Sequence, residues 1–214
     1  MAAPSTTEPN SPQGDVLEAA DLTRQLQAGA VALMPTDTLP ALAALPAHAA
    51  RIWTLKARPA DKPLILMGAD LEQLCEVLGT PWRPEWLALA ERGWPGALTL
   101  VLPARGPWVN WLHPGGADLG LRIPACQPAR ELLRLTGPLA TTSANPSGLP
   151  AATTVQEARR MFPAMPMLGP LPWPPAGGQA STVLAWRDSA AGGQGGWQLL
   201  RAGAVMPAGL HPDA

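Results

Sequence analysis

Of fifteen basic residues, thirteen are arginine and two are lysine, and both lysines fall in one short segment, Lys56-Ala57-Arg58-Pro59-Ala60-Asp61-Lys62. A solvated surface tolerates arginine in place of lysine. A bias toward arginine therefore leaves lysine where a compact, strongly hydrated point charge is needed. A phosphate is such a place, because lysine neutralises it as a point charge while a neighbouring arginine grips two oxygens in a planar fork. Pro59 restricts the turn that carries them. Lys56, Arg58 and Lys62 are thus candidates to hold a polyphosphate, with a solvated basic loop as the alternative reading.

Arg122 is the next candidate. It stands in Leu119-Gly120-Leu121-Arg122-Ile123, where strand alternation sends its side chain either to solvent or to an anion. Ser143-Ala144-Asn145 sets a hydroxyl and a carboxamide two residues apart after an apolar run, so both can face a ligand. An ordinary Asn-Pro-Ser-Gly turn accounts for the same residues. Ser143 has no evident histidine partner to activate it, which leaves little basis for a serine hydrolase. The chain has no Gly-x-x-x-x-Gly-Lys-Ser/Thr loop and no Gly-x-Gly-x-x-Gly after a strand. Any nucleotide must then be held by side-chain cations and hydroxyls. Cys75 and Cys126 form no Cys-x-x-Cys pair and read as free, mostly buried thiols. His48, His113 and His211 have no zinc spacing, so no metal held by protein ligands alone is expected, whereas magnesium carried on a nucleotide is compatible.

These residues need elements to position them. Residues 15–28 carry a helical apolar stripe closed by Gly29, and Ala30–Met34 reads as a buried strand ending at the polar loop Pro35-Thr36-Asp37-Thr38. Strand ends of this kind are where ligands collect in open α/β sheets. Ala47–Leu55 reads as a helix that delivers the Lys56–Lys62 cluster. Pro63–Met67, Ala97–Leu102 and Leu119–Ile123 read as strands, and 70–78, 84–92, 128–136 and 154–162 as helices. Asp70 and Thr154 are expected N-caps, Thr154 with Glu157 in a capping box. Residues 138–141 lead into the Thr142–Gly148 polar segment. Pro163–Gly178 is rich in proline and glycine and is expected to be an irregular, exposed loop. Ser181–Trp186 and Trp197–Arg201 read as a hairpin joined by a flexible Gly-rich insert, 190–196. Alternating strands and helices give an α/β class with one mixed sheet.

Composition sets the outer limits. With 214 residues, 47% hydrophobic and 14% charged, the chain can bury one sizeable core. A net charge of −1 gives no general polyanion binder, and no apolar run approaches the ~20 residues needed to span a bilayer. Residues 1–14 lack the layout of a signal peptide and read as a disordered tail on a soluble, cytoplasmic protein. A single domain is expected over 15–205, followed by a C-terminal tail, 206–214.

In order and spacing, Pro35-Thr36-Asp37-Thr38, Lys56-Ala57-Arg58-Pro59, Trp94-Pro95-Gly96-Ala97-Leu98-Thr99, Leu121-Arg122-Ile123-Pro124, Ser143-Ala144-Asn145-Pro146-Ser147-Gly148 and Ser181-Thr182-Val183 resemble the YrdC-like domain of the threonylcarbamoyl-AMP synthase family. The resemblance covers roughly residues 15–205, in the family's short, single-domain form. It implies a twisted, open mixed sheet with flanking helices and a wide concave face. It also implies a nucleotidyltransferase reaction in which L-threonine, bicarbonate and ATP, with Mg2+, give threonylcarbamoyl-AMP and pyrophosphate. A downstream threonylcarbamoyl transferase would use the product at position 37 of tRNAs that read codons beginning with A. Lys56, Arg58, Lys62, Ser143, Asn145 and Arg201 are then expected around ATP, and Thr36, Thr38, Arg122, Thr141 and Ser181 around threonine. No protein nucleophile is expected, and tRNA binding by the domain itself should be weak. The rival expectation is a non-catalytic module that binds ATP or RNA. One departure bears on the site: where the family usually continues with an aliphatic residue, an aromatic and glycine, this chain reads Leu39-Pro40-Ala41, which removes an expected aromatic wall.

Overall fold

The structure, a computed structural model, describes residues 14–189 and 195–208. Among the described residues ten strands make one mixed sheet: β1 (Val16–Leu17), β2 (Ala32–Met34), β3 (Ala41–Ala44), β4 (Ile65–Met67), β5 (Leu98–Pro103), β6 (Asp118–Arg122), β7 (Leu139–Ser143), β8 (Met167–Leu168), β9 (Thr182–Arg187) and β10 (Gly196–Arg201). Their spatial order is β1-β8-β2-β3-β7-β4-β6-β5-β9-β10. The helices are α1 (Ala19–Gln27), α2 (Ala50–Lys56), α3 (Leu71–Cys75), α4 (Pro84–Gly93), α5 (Pro107–Leu112), α6 (Gln127–Thr136) and α7 (Val155–Met161).

Both faces of the central strands are apolar, so both must be covered. Ala32, Met34, Ala41, Ala43, Met67 and Leu139 point to one side, where they pack with Leu22 and Leu26 of α1 and with Ala129, Leu132 and Leu133 of α6. Leu33, Leu42, Leu66, Ala140 and Leu100 point to the other, against α2, α4, α5 and α7 through Ile52, Trp86, Val109 and Ala158. Register decides what lies beside these strands. Ala41 faces Ser143, Thr141 sits between Ala43 and Ile65, and Met67 is paired with Leu139 on one side and Arg122 on the other. The face that α1 and α6 cover at Leu139 therefore continues into polar residues at Thr141 and Ser143. That stretch is the floor of the cavity described below.

Several expectations need correction. The first helix begins at Ala19 rather than at residue 15, because Val16 and Leu17 pair in parallel with Met167 and Leu168. The segment 163–178 is not wholly an exposed loop: Met167 and Leu168 form β8, buried between β1 and β2. Strand β3 and helix α5 were not expected. Ala41-Leu42-Ala43-Ala44 has little β-propensity and is extended because its two neighbours supply ladder bonds. Cys75 is exposed, while Cys126 is buried. The expected N-caps are present: Gln73 N donates to Asp70 Oδ1 at 3.0 Å, and Glu157 N to Thr154 Oγ1 at 3.2 Å. Glu157 completes its box one residue early, accepting from Thr153 N at 2.8 Å. The expected tails and insert fall mostly outside the described residues, at 1–13, 190–194 and 209–214. Gly14 is inside the fold, its N–H donating to Pro163 O at 2.7 Å.

Candidate active site

On the uncovered part of the sheet face lies a cavity of about 340 Å3. Thr36 and Thr38 enter it from the β2–β3 loop, Arg58 from the turn after α2, and Arg122 from the end of β6. Thr141 and Ser143 come from β7, with Ser181 and Arg201 at its β9–β10 side. Eight of the residues named from the sequence thus line one space.

Arg122 settles the choice left open by its strand position, because it is only 3% exposed. Its Nε donates to Gly96 O at 3.0 Å, and its two terminal nitrogens donate to Thr38 Oγ1 and Asp37 Oδ1, both at 2.8 Å. Asp37 also accepts from Ala125 N at 3.0 Å. Burial lowers the Arg122 pKa from its ordinary value, and the Asp37 carboxylate opposes that shift. An arginine so placed stays charged. Asp37 was not singled out from the sequence. The signal was an arginine inside an apolar strand, which demands a carboxylate or a bound anion, with a lone Asp in the loop that faces it. Thr99 was missed as well: fully buried, its Oγ1 lies 2.8 Å from Ser181 Oγ. Arg201 holds the other side of Ser181, with Nε and Nη2 donating to its carbonyl at 3.1 and 2.8 Å.

The two lysines part company. Lys56 lies beneath the cavity rather than in its lining and is 2% exposed. Its Nζ donates to Ser143 O at 2.5 Å and to Asn145 Oδ1 at 3.0 Å, and Ser143 Oγ donates to the same Oδ1 at 2.6 Å. Burial, with a smaller push from Arg58, lowers the Lys56 ammonium from 10.5 to about 8. Asn145 therefore acts here by holding Lys56 and Ser143 and does not line the cavity. Lys62 is exposed and outside the lining; what its residue contributes is a backbone carbonyl, which accepts from Trp53 Nε1 at 2.9 Å and braces the turn. Arg58 is half-buried, donates to the Lys62 and Pro63 carbonyls, and is lowered in pKa chiefly by burial.

The opposite placements of Lys56 and Arg58 come from the residue between them. Ala57 caps α2 in the left-handed region, at φ 49°, which reverses the chain. A Cβ is disfavoured there, and glycine is the usual occupant. Ala57→Gly is expected to stabilise the protein by about 1 kcal/mol, measured as a rise in the denaturant midpoint at unchanged m-value.

The departure at 39–41 also resolves in space. Leu39 and Ala41 line the main cavity, whereas Pro40 lines a separate cleft of about 170 Å3 with Trp173 and shares only Thr36 with the main cavity. At position 40, where an aromatic was expected, the proline therefore borders the neighbouring cleft and not the main cavity. Among the lining residues there is no carboxylate. In and beside the lining Lys56, Arg58, Arg122 and Arg201 stand against Asp37, which gives the site an excess of positive charge.

The family profile Sua5_yciO_yrdC, described as "Telomere recombination", matches residues 24–203. Threonylcarbamoyl-AMP synthase of Halorhodospira halophila is 37% identical over 142 residues, covering 64% of this chain and 74% of that protein. The enzyme of the same name from Pyrococcus abyssi is 41% identical over 142 residues, covering 64% of this chain but only 41% of the relative. The crystal structure of P. abyssi Sua5 complexed with L-threonine superposes with TM-score 0.76 at 31% identity, over 89% of this chain and 57% of that one. E. coli YciO shares the fold, with TM-score 0.71 at 20% identity over 90% and 93% of the two chains. Among the described residues no helix is long and apolar enough to cross a membrane.

Proposed function

This chain belongs to the Sua5–YciO–YrdC family, and from that membership we infer a threonylcarbamoyl-AMP synthase, which joins L-threonine, bicarbonate and ATP into threonylcarbamoyl-AMP and pyrophosphate. The observation that carries the reading is the cationic cavity on the sheet face, with Arg122 buried at one side and Lys56–Arg58 at another. All the substrates are anionic or carry a carboxylate, and the reaction moves negative charge onto a leaving pyrophosphate. Such a site works by charge placed in advance.

Arg122 spends three of its five N–H donors on Gly96, Thr38 and Asp37 among the described residues. The remaining two would take the threonine carboxylate, with Thr36, Thr38, Thr141 and Ser181 around its hydroxyl and amine. The amine then adds to bicarbonate, giving a carbamate and water. A carbamate oxygen attacks the α-phosphorus, the bond from that phosphorus to the bridging oxygen breaks, and pyrophosphate leaves with the electron pair. Lys56, through its remaining donor, and Arg58 would neutralise the departing phosphates, with Arg201 and Ser143 closing the nucleotide side. Proximity supplies much of the rate, since no protein nucleophile takes part. With hydroxyls and guanidinium groups in the lining, a magnesium ion would be held by the triphosphate itself, helped by hydroxyls such as Thr142 and Ser143. The product would pass in the cytoplasm to a threonylcarbamoyl transferase acting on tRNA. Direct tRNA binding would be weak and salt-sensitive.

Charge on Lys56 gives a pH dependence. ATP affinity is expected to fall as pH rises through about 8, where the free protein loses that charge, as calorimetric titration would show. Stability runs the opposite way. The folded pKa lies below the unfolded one, so the unfolded chain holds the extra proton between about 8 and 10.5. The contribution of Lys56 to stability therefore rises with pH across that window.

The function itself is tested by incubating the protein with ATP, labelled bicarbonate and threonine. Threonine-dependent pyrophosphate and a labelled adenylate are expected. ATP binding with neither product would instead mean a non-catalytic module.

A further inference from the structure

The loop that presents Thr36, Asp37 and Thr38 to the cavity is held from outside by a second segment. After β8 the chain runs Gly169-Pro170-Leu171-Pro172-Trp173-Pro174-Pro175-Ala176-Gly177-Gly178. Gly177 N donates to Asp37 O and Gly178 N to Thr38 O, both at 2.9 Å. These bonds tie the strap to the backbone of the residues whose side chains receive the Arg122 guanidinium. The strap has few anchors, since most of its residues are exposed. Trp173 is its one large side chain that is not exposed. It is half-buried, packs against the larger core, and donates its indole N–H to Leu168 O at 2.6 Å, at the end of β8. Its ring also lines the cleft beside Pro40 and Thr36.

Resting on the synthase reading, we propose that Trp173 is a positioning residue for the threonine side of the reaction. It pins the 169–178 strap to the end of β8, the strap holds the Asp37 and Thr38 carbonyls, and those residues fix the free donors of Arg122. A misplacement of this kind reaches the reacting groups without any contact to substrate. It acts chiefly on the threonine side, because the nucleotide-side residues Lys56, Arg58 and Ser143 are carried by α2, the turn after it and β7, none of which bonds the strap. Arg201, which donates to the Ser181 carbonyl just beyond the strap, is the nucleotide-side residue nearest to it in the chain.

The test compares KM and calorimetric affinity for each substrate in Trp173→Ala and Trp173→Phe, at a temperature where thermal melts show both folded. Trp173→Ala is expected to raise the KM and Kd for threonine about tenfold, with those for ATP within about twofold of the parent. Trp173→Phe, which keeps the ring packing and loses the indole bond, should recover part of that loss. Gly178→Ala strains the strap at its φ of +71° from a position with an open Cβ environment, and should move threonine affinity in the same direction. It replaces Trp173→Ala as the deciding variant if the latter does not fold. Unchanged threonine affinity in a folded variant, or an equal loss for both substrates, overturns the proposal. An inactive parent chain that still binds threonine would instead count against the synthase reading, and the affinity comparison would still decide the role of the strap.

Discussion

Replacing Arg122 with alanine is expected to lower kcat/KM for threonine by about a thousandfold, roughly 4 kcal/mol of transition-state stabilisation, while ATP affinity stays near that of the parent. The side chain is 3% exposed and is the member of its ion pair more deeply withdrawn from water; Asp37 is 19% exposed. Removing it leaves Asp37 with the Ala125 N–H but no counter-charge. Breaking a buried pair from one side typically costs about 3–5 kcal/mol, and the partial exposure of Asp37 favours the lower end. Activity and stability therefore fall together in the single variant and must be separated. The double variant Asp37→Asn with Arg122→Gln removes both charges and keeps polar groups of similar shape. It should regain much of the lost stability, read as the thermal midpoint, and none of the threonine-dependent pyrophosphate release. Activity restored in the double variant would mean that Arg122 only holds the loop.

Lys56→Met makes the opposite dissociation. Nothing is left unpaired by this change, because both acceptors keep another donor: Ser143 O retains Asn145 N at 3.1 Å, and Asn145 Oδ1 retains Ser143 Oγ at 2.6 Å. Methionine matches the length of the stem and removes a charge whose burial already lowers its pKa to about 8. Exchanging a buried charge for an apolar group of similar volume is often neutral. The thermal midpoint is therefore expected to stay within the few degrees that about 1 kcal/mol represents. Pyrophosphate formation should fall by about a hundredfold to a thousandfold, the usual effect of deleting one preplaced donor, and ATP affinity should lose its pH dependence near 8. Full activity in this variant would reduce Lys56 to a brace between α2 and the loop after β7.

The contrast between these two variants also separates what composition can say from what it cannot. The scarcity of lysine pointed to the Lys56–Lys62 segment, and the segment does border the site. It could not distinguish the two lysines, since that depends on the left-handed turn at Ala57 and on the β7 loop that arrives from about ninety residues away. Lys56 became buried and Lys62 was left in solvent. In the same way Arg122 read as either solvated or anion-bound, and the Asp37 loop packed against the end of β6 made the decision.

What the sequence determined by itself is the set of local, periodic features. The capped starts of α3 and α7, the β9–β10 hairpin, the α/β class and the order of the polar segments all depend on residues close in the chain. Each short polar or basic segment was legible in the same way, although the residues that line the cavity come together from positions as far apart as Thr36 and Arg201. Only the tertiary structure decided the rest. Alanine-rich β3 and the two-residue β8 are extended through ladder bonds to distant strands, which no local propensity records. The cavity exists because the register continues one sheet face from Leu139, under α1 and α6, to Thr141 and Ser143, where no helix among the described residues covers it. Pro40 turned out to line a neighbouring cleft with Trp173 rather than the main cavity. The physical reason is the same in each case: burial and pairing across long sequence separations set the environment of a side chain, and environment, more than residue type, sets its charge state, its partners and its role.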